Sequence, residues 1–83
     1  MTDKRKISTK IDELLSDREE GRTICPPEVA RALGGGAWRD LMQPVRDAAA
    51  ARAGRGELTV TRKGVPVDPK HPGGPIRLGR MPP

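Results

Sequence analysis

Two side chains have the chemistry of a nucleophile and a base, Cys25 and His71, each the only residue of its type among 83. Cys25 stands ahead of Pro26-Pro27-Glu28, a pattern that opens helices, and a thiol at a helix N-terminus gives up its proton more readily. The same segment is expected to pack beneath that helix, which makes a buried structural thiol the stronger reading. His71 sits among prolines and glycines with no orienting partner in sequence. Gly34-Gly35-Gly36 resembles a phosphate-cradling loop only superficially, because no Lys-Ser/Thr follows it. No Cys/His group has the spacing of a zinc site, and a lone cysteine closes no intramolecular disulfide. These residues point away from an enzyme and imply no metal or cofactor.

The cations carry a clearer signal. Residues 1–36 hold seven Lys/Arg and seven Asp/Glu, whereas residues 37–83 hold nine against four, so the whole formal excess of +5 lies in the second part. Such asymmetry suggests one basic face, and with a pI near 10.1 it meets the electrostatic requirement for a nucleic-acid binder. Arg39, Gln43 and Arg46 recur at i, i+4 and i+7 and are expected to form an outward row on one helix. Arg and Gln make bidentate contacts with guanine and adenine, so these three are the candidates for direct base readout. Asp40 and Asp47 dilute the row, which reads alternatively as a solvated face with internal ion pairs. A second group, Arg62, Lys63, Lys70, His71 and Arg77, gathers around a loop where flexible cations reach phosphate; ordinary surface solubility is its alternative. Arg77 has a further option, pairing with Glu57 across a hairpin. One Trp and no Phe or Tyr argue against folds that stack single strands on several rings, leaving duplex DNA as the expected nucleic-acid partner.

The elements that must position these groups follow from periodicity. Ile7, Ile11, Leu14 and Leu15 form the apolar stripe of an amphipathic helix, expected to run to about Glu20 and stop at Gly21. Residues 1–6 read as a disordered arm. Arg22 to Cys25 is a short extended segment that can pair with a later strand. Pro26 opens a helix with Val29, Ala30 and Leu33 on its buried face, and the glycine triplet turns the chain into a third helix from Ala37. Trp38, the chain's one large ring, heads that helix's apolar stripe and is expected at the centre of the core. Pro44 predicts a kink or a break. Glu57 to Arg62 alternates as a half-buried strand, Lys63-Gly64 is a turn, Val65 to Pro75 a loop, Pro75 to Leu78 a returning strand and Gly79 to Pro83 a frayed tail.

The order helix, strand, helix, helix, hairpin is that of an α+β winged helix-turn-helix, three helices with a short β-hairpin wing. The expected organisation is an arm over 1–6, one domain over 7–79 and a tail over 80–83. No apolar run is long enough for a signal peptide or a membrane span, so a cytoplasmic protein is expected, with its oligomeric state open. The runs Thr23 to Leu33, Trp38 to Arg46 and Gly74-Pro75-Ile76-Arg77-Leu78 resemble the bacterial domain-of-unknown-function 3253 family. That resemblance implies a small winged-helix protein without an established activity and carries over no site residue. The expected function is non-enzymatic binding of duplex DNA; an interaction module meeting an acidic protein partner is the alternative.

Overall fold

A computed structural model of the chain describes residues 4–18, 22–68 and 75–81. Three α-helices, α1 (Lys4–Ser16), α2 (Pro26–Gly34) and α3 (Met42–Gly54), pack on a sheet of β1 (Thr23–Ile24), β2 (Leu58–Arg62), β3 (Val65–Pro66) and β4 (Arg77–Arg80). A 3₁₀ segment, Gly35–Leu41, separates α2 from α3. The sheet is antiparallel throughout in the order β1-β4-β2-β3, so the last strand in sequence lies inside the sheet. Leu78 is opposite Ile24 on one side and Val60 on the other, which joins three buried side chains into the floor of the core.

Helix α1 forms for the reason its stripe gives, burying Ile7, Ile11 and Leu15, while Leu14 is only half-buried. It begins at Lys4 and ends at Ser16, earlier at both ends than the periodicity predicts, so residues 4–6 are helical rather than part of an arm. Polar residues ahead of Ile7 add a first turn without needing a buried partner. Glu20 and Gly21, the expected stop, lie outside the described residues. In β4 the guanidinium of Arg80 donates to the Leu15 carbonyl at 2.9 Å, meeting an orphan acceptor at the end of α1.

The glycine triplet and Pro44 together decide the middle of the chain. Gly35, with φ +53°, leaves the helical region and its N–H closes α2 on the Arg31 carbonyl. The chain then runs as 3₁₀ turns interrupted at Ala37 and becomes α-helical only at Met42. Pro44 is thus the third residue of α3, in the first turn, where its missing N–H leaves no bond unmade. The break falls before the proline, and the expected helix from Ala37 does not form.

The core is wholly aliphatic: Ile7, Ile11, Ile24, Val29, Val45 and Leu78 are its largest fully buried side chains. Trp38 is not its centre but packs half-buried against the rim, a correction to the expectation from composition. Alanines explain how the core closes without the ring, since α3 buries Val45 and Ala49 and lays the small Ala48 and Ala53 against the same cluster. Across the helix layer Arg52, with a side chain 12% exposed, reaches Asp12 at 2.8 Å and Glu57 at 3.0 Å, tying α3 to α1 and to the turn before β2.

Two stretches expected as loop and tail contain strand. Val65 and Pro66 pair with Arg62 and Thr61, and Gly79 and Arg80 continue β4 beyond Leu78. Gly79 lies between Thr23 and Thr59, and a Cβ there would meet Thr59 Oγ1 at 2.8 Å and Thr23 Cγ2 at 3.1 Å. Gly79→Ala is therefore expected to lower stability by about 1–3 kcal/mol, as other overpacked sites do, read as a lower urea midpoint. An unchanged midpoint would show that the two threonines move aside without cost.

Candidate nucleic-acid interface

The glycine turn folds the 3₁₀ segment back over the last turn of α2. Arg31 on α2 and Arg39 on the 3₁₀ segment consequently share one ring, each guanidinium carbon lying 4.6 Å from the centroid of Trp38. The ring's negative face attracts cations at this distance, and the stacking holds both long side chains in place. Both arginines are exposed, and neither forms an ion pair among the described residues. Two stacked guanidiniums on exposed residues have the chemistry to bind phosphate oxygens.

The predicted row Arg39, Gln43, Arg46 does not exist as one face. Arg39 belongs to the 3₁₀ segment, where residues recur every three rather than every 3.6 positions, and its side chain lies on Trp38. Gln43 is exposed on α3, but its amide donates to Asp47 Oδ1 at 2.9 Å, the internal pairing that was the alternative reading. Arg46 is half-buried, with Nε enclosed and without a hydrogen-bond partner among the described residues. It turns toward a cleft beside α2.

The second predicted group separates as well. Lys63, with φ +52°, and Gly64, with φ +80°, form the two-residue turn between β2 and β3, and Lys63 is exposed at its tip. Arg62 is half-buried and engaged within the chain. Arg77 does not reach for Glu57; its Nε donates to Thr23 Oγ1 at 2.8 Å and its Nη2 to the Thr23 carbonyl at 3.0 Å, locking β4 to β1. Lys70 and His71 lie outside the described residues.

A family model described as a protein of unknown function, DUF3253, matches residues 4–81. The chain belongs to the DUF3253 family. Among curated proteins none matches it.

In this DUF3253 domain the carboxylates are drawn largely into local pairs. Glu28 binds Arg18 at 2.7 Å, Glu13 binds Lys10 at 2.7 Å, Asp12 binds Arg52 at 2.8 Å, and Glu57 binds both Arg52 and Arg55. The Arg55 side chain, and after it Arg52, hold the Glu57 carboxyl below the usual range by hydrogen bonding to its ionised form; Glu57 in turn raises Arg55. A carboxyl whose pKa falls on folding stabilises the fold above its unfolded value, and that contribution disappears as pH drops through the lowered one. Glu57→Gln is therefore expected to flatten the loss of stability below about pH 4, in acid melts at graded pH. An unaltered acid limb would mean that the pair does not persist in solution.

Cys25 is half-buried, its thiol 3.5 Å from Glu28 Oε1. Among the described residues no cluster of His, Cys, Asp or Glu is placed to hold a metal ion, and no helix is long and apolar enough to cross a membrane. Arg31 escaped sequence reasoning because it lies on a different helix from the basic half of the chain. The available signal was the glycine triplet, since a reversal there returns Trp38 and Arg39 to the end of α2.

Proposed function

We propose that this domain is a winged-helix module that binds duplex DNA through its phosphate backbone, without catalysis. The arrangement α1, β1, α2, α3 and a hairpin, with β4 seated between β1 and β2, supports the winged-helix reading. In it, α2 and α3 form the helix-turn-helix pair and the Lys63-Gly64 turn is the wing. One observation carries the DNA reading: Arg31 and Arg39, stacked on Trp38 at the corner between those helices, are exposed and unpaired with carboxylate among the described residues. Base readout falls to Gln43 alone of the original row, and only after it leaves Asp47, so the module contacts backbone more than sequence.

Titrating the protein with a mixed-sequence duplex at two salt concentrations, followed by fluorescence of the one tryptophan, tests the reading. Binding is expected to weaken steeply with salt and to differ little between sequences. Lys63→Gly, which removes a charge while easing a positive φ, is expected to weaken binding equally on every duplex. No binding at low ionic strength would overturn the proposal, and a stoichiometric acidic protein partner in its place would assign the same face to protein recognition.

A further inference from the structure

Arg46 was expected on the outer face, and its actual position defines a second site. A cleft of about 530 Å³ opens between the start of α2, the start of α3 and the residues leading into β4. Its walls are Pro26, Pro27, Met42, Pro75 and Ile76, with Arg46 as the single cation among the lining residues. The volume falls within the range of about 300–1,000 Å³ typical of small-molecule sites, which pair an apolar lining with a few placed polar groups.

Three features narrow the ligand. The Arg46 Nε is enclosed and out of a ligand's reach, whereas the terminal nitrogens of the same guanidinium keep accessible surface and have no partner among the described residues, so they are the donors open to an acceptor in the cleft. Helix α2 cannot supply anion-binding donors in its place. Its first two residues are prolines, and the next N–H, that of Glu28, is held by the Cys25 carbonyl at 3.0 Å. The Glu28 carboxylate is occupied by Arg18 at 2.7 Å, and Arg46 forms no ion pair among the described residues. Among the lining residues the one strong side-chain donor is thus a guanidinium, and the other side chains are hydrocarbon, a thioether or a weakly polar thiol.

We propose that this cleft binds a small amphipathic monocarboxylate. The apolar body lies against the prolines, Met42 and Ile76, and the carboxylate accepts a charge-assisted hydrogen bond from Arg46. The site is separate from the Trp38 corner, and its test needs no DNA.

The test uses benzoate, benzamide and acetate as probes on the full chain, followed by ¹⁵N NMR, with alkylation of Cys25 by iodoacetamide as a second readout. Benzoate is expected to shift Met42, Ile76 and the Arg46 side chain, to slow alkylation of the adjoining Cys25, and to bind about tenfold or more tighter than either benzamide or acetate. Arg46→Gln should erase the preference for acid over amide, while Arg46→Lys, which retains the charge, keeps part of it and serves if the glutamine variant does not fold. Equal binding of benzoate and benzamide would overturn the role of Arg46. Acetate binding as tightly as benzoate would reduce the cleft to a bare anion site, and absence of any shift at millimolar benzoate would overturn the site itself.

Discussion

Leu78→Ala is expected to cost about 2–5 kcal/mol, the range for truncating a buried leucine, and so to leave much of the protein unfolded at 37 °C. Leu78 is fully buried in the strand that holds the sheet together, opposite Ile24 and Val60 at once. Truncation opens a cavity within the aliphatic cluster, whose buried members include no aromatic ring to fill it. A domain of this size has about 5–15 kcal/mol of stability at most and sits toward the lower end of that range. Urea melts should show a lower midpoint with little change in slope, and Leu78→Met, which conserves volume, should cost less than about 1.5 kcal/mol. A loss under about 1 kcal/mol for the alanine variant would mean that β4 does not organise the core.

The parts of the fold that local periodicity controls were legible. Ile7, Ile11 and Leu15 recur at helical spacing and are buried; Leu58 and Val60 alternate and are buried; Thr23-Ile24 has a strand partner in β4. What the pattern missed depends on contacts between distant segments. Composition puts Trp38 at the centre because a lone ring normally dominates burial. Instead, an alanine-rich α3 brings aliphatic side chains together without it, and two arginines become its neighbours. Gly79 reads as the start of a tail when only the apolar rhythm is followed. Its place in the sheet rests on two threonines, one from β1 and one from β2, leaving no room for a side chain.

The site was half legible for the same reason. Counting i, i+4, i+7 from Arg39 assumes one α-helix, and the change to 3₁₀ geometry before Met42 rotates Arg39 out of register with Gln43 and Arg46. The charge excess of residues 37–83 survives as a surface feature only in part. Arg52, Arg55, Arg77 and Arg80 are spent on holding elements together, through Asp12, Glu57, Thr23 and the Leu15 carbonyl. Net charge by segment cannot separate such structural arginines from those left to meet a partner.

Replacing Arg31 and Arg39 together with alanine is expected to leave the fold intact and to remove the largest share of DNA affinity. Both side chains are exposed and stack on Trp38, so the stability expected to be lost is that of two exposed cation–aromatic contacts, about 0.5–1 kcal/mol each. If each guanidinium neutralises one phosphate, the slope of log affinity against log salt should become shallower by about 0.9 per residue, close to two for the pair. Affinity at low salt should fall by about tenfold or more, while at high salt wild type and variant should converge. Trp38→Ala supplies the control on geometry, since it keeps both charges and removes the surface that orders them. Its slope should stay near that of the wild type while its affinity drops. A double variant with an unchanged salt slope would place the DNA contact elsewhere on the molecule, and a Trp38 variant with unchanged affinity would show that the stacking contributes nothing to binding.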